Sequence, residues 1–192
     1  MKPYVILAAA AGLVIGCTPT VEEPLEPIAA AVDPADPLFA PGYMRMAASS
    51  DLFEVESSRL ALARAQSPAH RQFAQMMIND HTRTTQELMA AAQTLGVAPP
   101  PPAMLPHHAA MLERLRAAGP TDFDRAYKTE QLVAHQEALT LHRNYADQGD
   151  AEPLRAVAAR AVPIIEMHYG HAQSLSDYAP APAPLSRAGE RG

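Results

Sequence analysis

Long segments of the chain carry apolar residues every three or four positions, the spacing of one face of an α-helix. Most of the prolines fall outside these segments, at 19–41, 99–106 and 180–184. No segment alternates with a period of two, so no strand is expected. The pattern predicts one short helix at about 107–118 and four long helices at about 44–66, 67–95, 121–149 and 152–178.

These elements predict an all-α fold. Two long antiparallel hairpins joined by a long connector are typical of a ferritin-like four-helix bundle, here with the short helix inside the connector. An up-and-down bundle with one embellished loop satisfies the same pattern. At the helix starts we expect Ser67 and Thr121 to act as N-caps, with Asp124 as the box-like partner of Thr121.

The N-terminus has the pattern of a bacterial lipoprotein signal. Lys2 precedes an apolar run at 4–15, which is too short to span a bilayer. The run ends in Val14-Ile15-Gly16-Cys17, which resembles a lipobox and implies cleavage before Cys17 and acylation of that residue. An ordinary signal peptide with an incidental cysteine is the alternative interpretation. The expected organisation is a signal peptide at 1–16, a lipidated tether at 17–42, a helical domain at 43–178 and a disordered tail at 179–192.

The composition and the N-terminal pattern limit the binding partners and the cellular location that we expect. The tether is rich in proline and acidic residues, which is typical of an extended spacer. Thr18, rather than Asp, follows the cysteine, and the resemblance to proteobacterial lipoproteins implies the outer membrane, with the domain facing the periplasm. The expected partner is therefore the membrane, reached through the lipid anchor. The net charge of −6 and the lack of a basic stripe argue against nucleic acid. Cys17 is the only cysteine, so no thiol remains for nucleophilic catalysis once it is acylated.

Four polar residues fall on the inward faces of the four long helices: Glu54, His81, His135 and His168. Counted from the connecting turns at a rise of about 1.5 Å per residue, they lie at similar heights. Three imidazoles and one carboxylate suit a single transition metal ion, which we expect to be Zn, Cu, Fe, Mn or Ni. Core histidines hydrogen-bonded to buried partners explain the same pattern without a metal.

The other histidines are assigned to the surface or to helix edges: His70, His107, His108, His142 and His171. The neighbouring pair His107-His108, in the flexible connector, is a possible adventitious metal ligand. A di-iron centre is disfavoured, because no Glu-x-x-His sequence occurs at the three inward histidines.

Several spaced motifs resemble one family of bacterial envelope proteins, the domain of unknown function 4142 family. They are Asp51-Leu52-Phe53-Glu54-Val55, Phe73-Ala74-Gln75-Met76-Met77 with Asp80-His81, Phe123-Asp124 with Tyr127 and His135, and Pro163 with His168. The resemblance covers about residues 43–178. It implies a ferritin-like bundle in the envelope and supplies no established activity.

Three functions remain open. The first is a non-enzymatic lipoprotein that binds or senses a metal. The second is a structural or stress-related module that binds an envelope protein partner without a metal. The third is a metal-dependent redox enzyme. Whether the chain is an enzyme is left open by the sequence, which favours a non-enzymatic protein.

Overall fold

The computed structural model describes residue 33 and residues 35–177, in which the chain forms five α-helices and no strand. The helices are α1 (Ala40–Arg64), α2 (Pro68–Leu95), α3 (Pro106–Ala117), α4 (Phe123–Gln148) and α5 (Glu152–Ser174). The prediction of an all-α fold with four long helices and one short helix is confirmed. Cys17, most of the tether and the tail at 179–192 lie outside the described residues.

The long helices pack in a closed cycle. Residues 65–67 join α1 to α2 and residues 149–151 join α4 to α5, so each pair folds back on itself. α2 also packs against α5, and α1 packs against α4. The connector at 96–105 leads into α3, which packs against α1 and α4. In the described part of the chain, no helix is long and apolar enough to cross a membrane.

The two larger of three apolar clusters lie toward opposite ends of the domain, and a layer with buried histidines lies between them. On α2, Phe73 and Met77 belong to one cluster and Leu88 to the other, with His81 between them. α5 repeats this order, since His168 falls between Val157 of the second cluster and Ala172 of the first. The apolar contacts therefore fix the height at which the buried histidines meet.

α1 begins at Ala40, four residues before the expected start and inside the expected tether. Pro41 fits in the first turn because the backbone N–H groups there have no partner within the helix. Gly42 allows the preceding segment to approach closely, since a Cβ at this position would lie 2.1 Å from the Asp36 carbonyl oxygen. The first helix thus begins three residues before the expected domain boundary at 43.

Asp124 has a different role from the one expected. The predicted capping box with Thr121 is wrong, because α4 starts at Phe123 after Asp122, without a side-chain cap. The buried Asp124 carboxylate instead accepts the backbone N–H groups of Gln66 at 3.0 Å and Ser67 at 2.8 Å. It therefore ties the turn between α1 and α2 to the start of α4. Ser67 is the N-cap of α2, as predicted, but makes no side-chain cap hydrogen bond.

Candidate metal centre

Three of the four predicted site residues meet in the layer with buried histidines. His81 on α2, His135 on α4 and His168 on α5 are each at most 4% exposed. Their ring centroids lie 5.4–5.9 Å apart. One nitrogen from each ring lies within 4.8 Å of the other two. Three different helices therefore bring their imidazoles together.

A hydrogen bond from one nitrogen fixes the orientation of each ring. Nδ1 of His81 lies 2.8 Å from Oδ1 of Asp51, and Nε2 of His168 lies 2.9 Å from Oδ2 of Asp80. Nδ1 of His135 lies 2.8 Å from the backbone carbonyl oxygen of Gln131. Carboxylates and carbonyls only accept hydrogen bonds, so each of these nitrogens carries the proton. In the neutral rings the lone pairs are therefore on Nε2 of His81 and His135 and on Nδ1 of His168.

Those three nitrogens are buried and have no hydrogen-bond partner among the described residues. Unpaired polar atoms in a protein interior are uncommon and costly, which makes three in one cluster informative. Metal–nitrogen bonds of about 2.1 Å at tetrahedral angles separate two ligand atoms by about 3.4 Å. Small side-chain movements would bring the three nitrogens to that separation. The donor set therefore fits one transition metal ion.

Glu54 lies beside the three histidines rather than among them. Its Oε1 is 3.5 Å from Nδ1 of His135, the nitrogen that is bonded to the Gln131 carbonyl, and not from the unpaired one. The carboxyl group is 1% exposed, and neither oxygen makes a hydrogen bond of normal geometry. Burial raises the pKa of Glu54 to about 7, although His81 and the nearby Gln131 amide oppose the rise. Glu54 is thus a buried carboxyl group that is only partly ionised near pH 7.

The three imidazoles differ in their affinity for protons. Burial, reinforced by the neighbouring His81, lowers the pKa of His135 to about 3 and that of His168 to about 4. Burial also acts to lower the pKa of His81, but Asp51 and the other nearby carboxyl groups outweigh it and raise that pKa. Two of the rings are therefore neutral ligands at pH 7, and the raised pKa of His81 means that protons compete with a cation for its Nε2 more than at the other two rings.

The family model for Domain of unknown function (DUF4142) matches residues 26–175. The chain belongs to this family. The match confirms the resemblance expected from the motifs and assigns no activity.

Among solved structures, the DUF4142 chain is similar to one described as CopM in the Cu(II)-bound form, with a TM-score of 0.61. The two sequences are 18% identical, and the alignment covers 70% of this chain and 93% of the other. At this identity the similarity supports a shared fold. No curated protein matches the chain significantly.

Sequence reasoning missed the groups that orient the imidazoles. Asp51 lies on the inward face of α1, three residues before Glu54, so its position was a usable signal. Asp80 directly precedes His81 but bonds to His168 on another helix, a pairing that local spacing does not predict. Gln131 acts through its backbone carbonyl, which no side-chain pattern reveals.

The surface assignment is wrong for three histidines: His70, His108 and His142 are buried. The Nδ1 atom of His142 is 3.0 Å from the hydroxyl of Tyr43, and burial lowers the pKa of His142 to about 4. His70 is fully enclosed, and within the part of the chain that the structure describes neither of its nitrogens makes a hydrogen bond. Their helices have wider buried faces than an amphipathic pattern with one inward stripe indicates.

Proposed function

We propose that the chain binds one transition metal ion through His81, His135 and His168, without catalysing a reaction. One observation carries this proposal. In each ring, one nitrogen is hydrogen-bonded to an acceptor, while the other is buried and unpaired. Histidines that ligate metals typically donate their second N–H in this way. The enclosed His70 outside the cluster bonds through neither nitrogen, so the argument rests on the repetition of one bonded and one unpaired nitrogen in three neighbouring rings.

Glu54 completes the proposed centre as a buried negative charge. A divalent cation held by three neutral imidazoles gains from a nearby carboxylate in an interior of low dielectric constant. Our proposal includes Glu54 as a fourth ligand, which requires its carboxylate to move from its present position beside Nδ1 of His135. Its two oxygens are available for this, since neither makes a hydrogen bond of normal geometry.

Copper(II) is our first candidate among Zn, Cu, Fe, Mn and Ni. Imidazole ligands suit all of these ions, and the Irving–Williams order places Cu(II) highest among the divalent ions. The description of the similar structure as Cu(II)-bound adds a reason to test copper first. All three imidazoles are buried, so a substrate would have no exposed face of the ion to approach. This favours binding or sensing over catalysis.

We also propose that the domain has the ferritin-like arrangement of two hairpins joined by a long connector. The packing of α1 on α2 and of α4 on α5, with α3 in the connector, supports it. The proposed chemistry differs from that of ferritin-like di-iron proteins, because the ligand set is rich in histidine and lacks Glu-x-x-His pairs.

For the location, we propose an envelope lipoprotein anchored through Cys17, with the outer membrane favoured and the domain facing the periplasm. The support is the lipobox-like sequence and the proline-rich, acidic segment that follows it.

Thermal unfolding with and without metal tests the centre. Wild type, His81→Ala and His168→Ala would each be melted with chelator and then with added Cu²⁺ or Zn²⁺. We expect the metal to raise the Tm of wild type and to raise that of both variants far less, because each lacks one ligand. His70→Ala is the matched control, since it removes a buried histidine that lies outside the cluster. Equal shifts in all four proteins, or none in wild type, would leave a metal-free structural module as the better explanation.

A further inference from the structure

A second group of potential metal ligands lies on the surface between α3 and α4. His107 and His108 occupy the first turn of α3, and Glu137 approaches them from α4. Oε2 of Glu137 lies 3.7 Å from Nε2 of His107 and 3.8 Å from Nε2 of His108. These separations are too long for hydrogen bonds but close to the ~3.4 Å between two ligands of one metal ion.

The two imidazoles are arranged as a pair. Consecutive residues in a helix normally point in different directions, yet the centroids of these rings lie 4.0 Å apart. Nδ1 of His108 is 2.7 Å from the hydroxyl oxygen of Ser49, which also accepts the backbone N–H of Leu105. The ring of His108 stacks on Phe53, with centroids 5.7 Å apart. One member of the pair is therefore buried and held by α1, with its Nε2 directed toward Glu137.

The same residues line an open groove. His107, His108 and Glu137 share its wall with mainly apolar side chains, including Met46, Leu105 and Leu141. The side chains of His107 and Glu137 are 48% and 50% exposed. Ions from solution therefore have direct access to this group, in contrast to the buried centre.

We propose that His107, His108 and Glu137 form a second site for a divalent late transition metal ion, separate from the buried centre. Two imidazoles and one carboxylate provide a neutral-nitrogen and oxygen donor set suited to Cu(II), Ni(II) or Zn(II). The site leaves coordination positions open to water, and the positive end of the α3 dipole disfavours a cation there. The ion is consequently bound more weakly than in the buried centre and exchanges readily with solution.

Counting bound Cu²⁺ in the purified protein tests this site. Wild type, His107→Gln and Glu137→Gln would be titrated with Cu²⁺, followed by metal analysis and electron paramagnetic resonance. We expect both variants to lose one weakly held ion that the wild type binds, together with its resonance signal from nitrogen ligands. Both side chains are half exposed, so neither substitution threatens the fold.

Two matched control variants test whether Cu²⁺ binds non-specifically to exposed side chains. His171→Gln and Glu113→Gln each remove an exposed residue of the same type outside this cluster and should retain the ion. The same comparison in a His168→Ala background separates this site from the buried one, since the weak ion should persist there and disappear when His107→Gln is added. Loss of the ion in the control variants, or its retention in His107→Gln and Glu137→Gln, would overturn the proposal.

Discussion

Nδ1 of His81 on α2 lies 2.8 Å from Oδ1 of Asp51 on α1, and both groups are buried. The hydroxyls of Thr84 and Thr85 donate to the same carboxylate, at 2.9–3.0 Å. Asp51 is thus held as an acceptor and keeps the proton of the neutral imidazole on Nδ1. The lone pair of His81 is consequently directed away from α1, toward His135 and His168.

Asp51→Asn should weaken metal binding by about 10–100-fold, because an amide hydrogen facing Nδ1 favours the tautomer with its proton on Nε2. Affinity would be measured by competition with a chelating dye at pH 7.5. Asp147→Asn, which changes an exposed carboxylate, is the control and should bind as wild type does. Unchanged affinity in Asp51→Asn would show that this hydrogen bond does not prepare the ligand.

Glu54→Gln should stabilise the metal-free protein above neutral pH. The pKa of Glu54 is about 7 when folded, against 4.5 for the free group, so the folded state holds the proton more tightly. Its ionisation therefore removes stability as pH rises from 4.5 through 7. The amide of the variant does not ionise and loses no stability in this way. The free energy of unfolding of Glu54→Gln should therefore exceed that of wild type by about 1–3 kcal/mol at the upper end of this range. Urea unfolding at pH 5 and pH 8, with chelator present, measures it.

The same substitution should reduce the metal-induced rise in Tm, because the buried negative charge beside the imidazoles is lost. A variant that is less stable than wild type at pH 8 without metal would contradict the raised pKa. A full metal response in Glu54→Gln would exclude Glu54 from the centre.

Acid should destabilise the metal-free protein well above the pH at which carboxyl groups usually titrate. Burial lowers the pKa values of His108 and His142 to about 4, from 6.5, so both are neutral in the fold where the unfolded chain is protonated. Their contribution to stability is lost as pH falls from 6.5 through 4. His142→Gln should reduce the slope of the free energy of unfolding against pH over that range, by up to about 1.4 kcal/mol per pH unit. An unchanged slope would show that His142 titrates normally.

Asp124→Ala should destabilise the fold by about 2–4 kcal/mol, because the backbone N–H groups of Gln66 and Ser67 lose their acceptor. Asp122→Ala serves as the control: it removes an exposed carboxylate that is paired with Arg125. That change should stay within about 0.5 kcal/mol. The free energies of unfolding would be measured with urea. A similar decrease in both variants would show that Asp124 does not contribute more than an exposed carboxylate.

Cys17→Ser tests the proposed anchor. Acyl chains on Cys17 would hold the protein on the membrane, so the variant should be released from membranes or remain uncleaved. Fractionation and gel mobility of the two proteins in the native host report this. A variant that fractionates and migrates like wild type would contradict the lipoprotein interpretation.

The sequence by itself determined the all-α fold, the number of helices and most of their ends. Helical spacing and proline position are local properties, and Gly96 at the end of α2, with its left-handed backbone, shows how directly one residue fixes a boundary. Sequence spacing also placed His81, His135 and His168 at one height, because short turns and a constant helical rise convert residue counts into distances.

Only the tertiary structure decided how those histidines are used. Which nitrogen of each ring is bonded depends on Asp51, Asp80 and the Gln131 carbonyl, and the two carboxylates reach their imidazoles from other helices. The same holds for Glu137, which lies 29 positions beyond His108 in the chain but 3.8 Å from it in the fold. The periodicity of a sequence predicts the direction in which a side chain leaves its own helix. The residue that it contacts depends on the relative rotation and axial position of the packed helices.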